Sequence, residues 1–126
     1  HKNPRNRSVA FLWHQGETDV QEKMDPQAYA ENLKVIVERV RRITQNPFLP
    51  FISGNMVPSW MSENPFSYEI ADATRLLMKN LPFCAYVETD GLIGNPGEDH
   101  IHFSRSSCAE LGGRYFEKYC DILKRR

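Results

Sequence analysis

Strand-like and helix-like segments alternate along the whole chain, and this alternation constrains the fold most strongly. Three short apolar runs, residues 8–13 (SVAFLW), 48–53 (FLPFIS) and 83–88 (FCAYVE), are separated by longer segments in which apolar residues recur at helical spacing. Strands joined through helices pair in parallel, because each helix returns the chain to the same end of the sheet. The sequence therefore predicts an α/β fold built on one parallel sheet.

Three helices are predicted around this sheet. The first begins after Asp25, which resembles an N-cap, and ends before Pro47; the second covers residues 67–80. The third runs to the end of the chain, and Ser107 with Glu110 resembles a capping box at its start. Right-handed crossovers place the first two helices on one face, leaving the other face for the last helix. The first apolar run lacks polar alternation, which predicts a central strand buried on both faces.

Length and composition exclude two classes of partner. The chain has 126 residues, enough for one domain over residues 1–126. Sixteen basic residues balance sixteen acidic ones, which disfavours nucleic-acid binding through bulk charge. No apolar run approaches the roughly 18 residues that a membrane span needs. We therefore expect neither a nucleic-acid nor a membrane partner.

Polar residues follow the first predicted strand at its carboxyl end, where open parallel sheets bind their ligands. The segment His14-Gln15-Gly16-Glu17 offers an amide donor suited to a developing oxyanion, beside a glycine that lets backbone approach a ligand closely. The alternative is a polar loop whose acids only cap the following turn.

A second polar cluster follows the third predicted strand. Asp99 and His102 lie three residues apart, a spacing that lets the carboxylate meet the imidazole Nδ1 in a turn. Nε2 would then be free to take a proton from a hydroxyl, which predicts a base with its orienting acid. The alternative is that these histidines lie near acids by chance.

A metal site is a third interpretation, because His14, His100, His102 and the nearby acids are all residue types that bind zinc or manganese. Their spacing argues against it, since neither an HExxH motif nor a cysteine pair is present. We therefore predict no metal.

These motifs resemble two sequence blocks of the SGNH hydrolase superfamily. WHQGETD after a strand, and DGL followed by DHIHFS and LGGRYFEKY, are similar to the sialate O-acetylesterase and acetylxylan-esterase-like carbohydrate esterases. The resemblance covers about residues 9–119. It implies a three-layer, flavodoxin-like parallel sheet with helices on both faces. It also implies an esterase that removes O-acetyl groups from sugars with a Ser, His and Asp constellation and no cofactor.

The resemblance assigns roles to residues of this chain. His102 stands at the position of the general base, Asp99 at that of its orienting acid, and Gln15 at that of the oxyanion-hole amide. Five further residues are expected to bind the substrate or shape its pocket: His14, Gly16, Glu17, Asn55 and Trp60.

The nucleophile is the main departure from the family pattern. Family members begin with a strand leading to a serine in a GQSN-like turn, and this block is not present in the sequence, where Ser53 ends a strand and Ser104 is expected to cap a helix. We therefore predict that the chain holds the last three strands of a five-stranded sheet in the order 2-1-3-4-5. The nucleophile would come from a partner segment, or a second copy would pair with the edge of the first strand. The alternatives are a non-catalytic remnant that binds acetylated sugar or a protein partner, and a metal-dependent hydrolase.

Overall fold

The structure, a computed structural model, describes residues 3–125 and has the alternating order that the sequence predicts. Its elements in chain order are β1 (Phe11–Trp13), α1 (Glu17–Gln21), α2 (Pro26–Ile43), β2 (Phe51–Gly54), α3 (Pro58–Glu63), α4 (Ser67–Asn80), β3 (Cys84–Val87), a 3-10 turn (Gly97–Asp99) and α5 (Arg105–Lys124). The short helices α1 and α3 lie in segments that the sequence pattern treated as loops. None of the helices within residues 3–125 combines the length and the apolar character needed to cross a bilayer.

The three strands form one parallel sheet in the order β1-β2-β3. Phe11 pairs with Phe51, and Ile52 pairs with Ala85, so β2 lies in the centre. All four residues of β2 are buried. The predicted α/β class is confirmed.

The prediction that the first strand is a buried central strand is wrong for the described chain. β1 is an edge strand of three residues, and the Leu12 side chain is 57% exposed. The cause is that β1 pairs with β2 alone, while α5 packs on β2 and β3. Leu12 therefore points into a region that no described element covers fully.

Helices cover both faces of the sheet. Phe11 stacks on Phe51 with their ring centroids 5.2 Å apart, and Trp13 Nε1 lies 3.5 Å from the hydroxyl of Tyr29 in α2. Side chains alternate along a strand, so Gly54 faces the opposite side from Phe51. A Cβ atom placed on Gly54 would overlap the hydroxyl of Tyr115 in α5. α2, which packs against α4, and α5 thus lie on opposite faces.

Most helix ends agree with the sequence signals, with one correction. Asp25 caps α2 through its carboxylate, which accepts a hydrogen bond from the backbone N–H of Ala28 at 2.8 Å. The capping box predicted at Ser107 and Glu110 is wrong, because α5 begins one turn earlier with Ser104 as its N-cap. The Ser107 hydroxyl instead accepts a hydrogen bond from a loop amide, as described below.

Candidate functional site

The loops after β1 and β3 meet at the carboxyl end of the sheet. The His14 and Phe103 rings lie edge to face with centroids 5.5 Å apart. The pKa of His102 is raised mainly by its hydrogen bond to Asp99, and the charge of Glu17, in α1, adds to this effect. The two polar segments that the sequence singled out are therefore neighbours in space.

Asp99 and His102 form the contact that their spacing predicts. The His102 Nδ1 lies 2.5 Å from Asp99 Oδ1, and the second carboxylate oxygen accepts a hydrogen bond from Asn95 Nδ2 at 2.7 Å. Both groups are exposed. The hydrogen bond to Asp99 and the charge of that carboxylate raise the pKa of His102 above its ordinary 6.5. The hydrogen bonds from His102 and Asn95 lower the pKa of Asp99.

Backbone contacts within one loop hold this pair. Gly94 and Phe103 form an antiparallel bridge, and the Asn95 amide donates to the His102 carbonyl at 2.8 Å. The Ile93 amide donates to the Ser107 hydroxyl at 2.9 Å, which anchors the loop to α5. His102 Nε2 makes no hydrogen bond with any residue between 3 and 125, so this nitrogen faces solvent.

His14 is held by a tyrosine, and the contact fixes its tautomer. The Tyr115 hydroxyl donates to the Trp13 carbonyl at 2.9 Å and lies 3.3 Å from His14 Nδ1. Because the single hydroxyl proton is used on Trp13, His14 Nδ1 must carry a proton and donate. Burial lowers the pKa of His14, outweighing the opposite effect of Glu17. Neutral His14 therefore presents Nε2 as an acceptor, 3.9 Å from a Glu17 carboxylate oxygen.

The Gln15 side-chain amide is held by residues of α1 and α2. Its Nε2 donates to Asp19 Oδ2 at 2.5 Å, and the Tyr29 hydroxyl lies 2.9 Å from the Gln15 carbonyl and 3.3 Å from its side-chain oxygen. Gly16 joins the loop to α1 at a φ of 149°, a region that favours glycine. The amide thus points at Asp19 in this structure.

Two tyrosines hold the loop after β1 from opposite faces of the sheet, and sequence reasoning missed this function. Tyr29 from α2 donates to the Gln15 carbonyl in that loop, and Tyr115 from α5 donates to the carbonyl of Trp13, the last residue of β1. Burial raises the pKa of Tyr29 to about 12 and raises that of Tyr115 as well. The periodic pattern counted both residues as members of apolar helix faces. A tyrosine on such a face is itself the signal, since its buried hydroxyl needs a partner.

The two residues predicted for the sugar-binding wall have different positions. Asn55 lies at the end of β2 and is almost fully buried; its Oδ1 accepts from the Met56 amide at 2.9 Å. The Asn55 Nδ2 donates to no residue that the structure describes. Trp60 is 4% exposed and belongs to the core. That expectation is corrected, because an indole ring buried in the core offers no open face to a sugar.

No described serine contacts His102, whose side chain bonds to Asp99 alone. The Ser53 hydroxyl is buried in β2 and has no hydrogen-bond partner among residues 3–125. Nor do three His, Cys, Asp or Glu side chains converge anywhere in residues 3–125 in a way that could hold a metal ion.

Two solved structures share this fold. A protein from Arabidopsis thaliana is 23% identical with a TM-score of 0.74, covering 90% of this chain and 44% of that one. NanS is 22% identical with a TM-score of 0.72, covering 98% of this chain and 49% of that one. The chain therefore spans about half the length of each structure. No match was found among curated proteins.

The family of this chain is shown by its sequence, because structural likenesses at such low identity show only the fold. The family model described as carbohydrate esterase, sialic acid-specific acetylesterase, matches residues 2–121, which is nearly the whole chain. The match includes both polar segments and every strand and helix except the end of α5. The chain therefore belongs to the sialic acid-specific acetylesterase family of carbohydrate esterases.

Proposed function

We propose that this chain carries the base half of the active site of an enzyme that removes O-acetyl groups from sugars. The observation that supports the proposal is the contact of 2.5 Å between His102 Nδ1 and Asp99 Oδ1, with Nε2 facing solvent. A neutral imidazole held in this way has its basic nitrogen directed outward, as proton abstraction from a hydroxyl requires.

The proposed reaction is acyl transfer through a serine. His102 Nε2 takes the proton of the serine hydroxyl as its oxygen attacks the acetyl carbonyl, and Asp99 stabilises the imidazolium. The imidazolium then protonates the departing sugar oxygen, which leaves an acetyl-serine. A water molecule, activated by the same nitrogen, attacks this ester and releases acetate and the free serine. Because Asp99 raises the pKa of His102, the neutral base form of His102 predominates only when the pH exceeds that raised pKa.

The loop after β1 would hold the substrate. Gln15 would stabilise the oxyanion after exchanging its hydrogen bond to Asp19 for one to the substrate, since an amide donor aimed at developing charge lowers the barrier. Neutral His14, through Nε2, and the Glu17 carboxylate are acceptors for sugar hydroxyls. Asn55 Nδ2 is an available donor, because no described residue accepts from it.

The serine would come from a segment that pairs with β1. This strand has an open edge, and Leu12 on it is 57% exposed. The chain also spans about half of each similar solved structure. An open parallel edge that carries an exposed apolar side chain favours pairing with a further strand.

Reconstitution tests the proposal. The chain alone should hydrolyse p-nitrophenyl acetate poorly, and the amino-terminal half of a related esterase supplied in trans should restore turnover. His102→Ala and Asp99→Asn should each remove the restored activity. Glu98→Gln, which changes an exposed acid beside Asp99, is the matched control and should leave it unchanged. Turnover that survives His102→Ala would remove the assignment, and binding of acetylated sugar without turnover, indifferent to Asp99→Asn, would favour the non-catalytic alternative.

A further inference from the structure

The His100 ring, between Asp99 and His102 in the sequence, bridges two parts of the fold. Its Nδ1 lies 3.1 Å from the Gly97 carbonyl oxygen, and its Nε2 lies 2.8 Å from Glu63 Oε2. A carbonyl and an ionised carboxylate can only accept hydrogen bonds. Both bonds therefore exist together only when the imidazole carries two protons.

The two partners belong to different elements. Gly97 begins the 3-10 turn that ends with Asp99, whereas Glu63 is the last residue of α3. α3 is anchored in the core through Trp60. The other hydrogen bonds of Asp99 stay within the loop: Asn95 Nδ2 donates to its carboxylate at 2.7 Å, and the His102 amide donates to its carbonyl at 3.1 Å. The His100 bridge thus ties the outer part of the loop to a fixed helix.

We propose that His100, together with Glu63, is a positioning residue that holds the turn so that the Asp99 carboxylate meets His102 Nδ1. His100 pairs with the Glu63 carboxylate from α3, and its charge also acts on the Asp99 carboxylate of its own turn. A catalytic role for Asp99 and His102 rests on the proposed function, but their positioning by His100 does not.

Substitution of His100 separates position from charge, because the two effects have opposite signs. If the bridge positions Asp99, His100→Ala loosens the contact with His102, and the pKa of His102 falls toward its ordinary value. If His100 acts only as a nearby cation, its removal relieves like-charge repulsion and the pKa of His102 rises.

The pKa of His102 can be measured from its ring Cε1 proton in an NMR titration of the chain alone. We expect a decrease in His100→Ala and a smaller decrease in Glu63→Gln, whose amide oxygen still accepts from the imidazole. Glu110→Gln is the matched control: Glu110 is 60% exposed and paired with Arg114, while Glu63 is 61% exposed. It should leave the titration of His102 unchanged.

The Gly97 amide provides a second readout. Its chemical shift should change in Glu63→Gln, because the bridge links this turn to α3, and should stay unchanged in Glu110→Gln. An unchanged or raised pKa of His102 in His100→Ala, or a Gly97 shift that is the same in Glu63→Gln as in the wild type, would overturn the proposal. Neither measurement needs a serine or an ester, so a failure of the esterase function would not be mistaken for a failure of the bridge.

Discussion

Replacing Gly54 with alanine tests whether the close approach of Tyr115 to β2 stabilises the fold. A Cβ atom at Gly54 would overlap the Tyr115 hydroxyl and lie 2.9 Å from its Cζ and 3.0 Å from His14 Nδ1. Ordinary carbon contacts lie at about 3.5–4.0 Å. The phenol ring must therefore withdraw, and its hydroxyl loses the bond of 2.9 Å to the Trp13 carbonyl.

The expected cost follows from these contacts. A lost hydrogen bond costs about 1 kcal/mol, and overpacking of a closely packed site adds about 1–3 kcal/mol. We therefore expect Gly54→Ala to lower the free energy of unfolding by about 3 kcal/mol, a large part of the roughly 5–15 kcal/mol of a typical domain. For a domain of this size the melting temperature should fall by about 10 °C.

Urea denaturation followed by circular dichroism measures this cost. Gly112→Ala is the matched control, because a Cβ atom there meets nothing within 4 Å and alanine favours a helix by up to about 1 kcal/mol over glycine. Tyr115→Phe should cost about 1 kcal/mol in the wild type. It should cost nothing further in Gly54→Ala, where the bond is already broken. Additive effects of the two substitutions, or a Gly54→Ala variant as stable as the wild type, would refute the reasoning.

Three further predictions concern ionisation and association. Asp99→Asn should lower the pKa of His102, which an NMR titration of its ring protons measures, because the main cause of its raised pKa is removed. Burial lowers the pKa of His14 in the folded chain, so the unfolded chain gains a proton there first as the pH falls below 6.5. The melting temperature should therefore decrease in that range, and His14→Gln should flatten this dependence on pH. Leu12→Lys should weaken association with the amino-terminal half in light scattering, and unaltered association would argue against docking at the β1 edge.

The fold could be predicted because it depends on patterns within short segments. The range of α4, residues 67–80, agrees with its periodicity, and Asp25 caps α2 as its position indicates. Strand edges were less predictable: β1 is shorter than its apolar run and half-exposed. An apolar run indicates that a strand can be buried. Whether it is buried depends on which elements pack beside it in the folded chain.

In the candidate site, too, local contacts were predictable and long-range contacts were not. The contact between Asp99 and His102 could be predicted, because three residues separate them and one turn joins them. The contact between His100 and Glu63 joins residues 37 positions apart, and no local pattern indicates it. The prediction for Trp60 was wrong for a related reason, since an aromatic residue in a polar segment can either bind a ligand or pack in the core.

The two halves of the candidate site depend on different parts of the fold. The proposed base and acid, His102 and Asp99, are held within one loop and by its anchors on α3 and α5, none of which lies at the open edge of β1. The loop that would hold the substrate directly follows β1, and two tyrosines from opposite faces bind the carbonyls of Trp13 and Gln15 at its start. A strand pairing with β1 would therefore bring its serine to a base that is already oriented. The substrate loop is the part that such pairing would rearrange, and there the Gln15 amide must exchange Asp19 for the substrate.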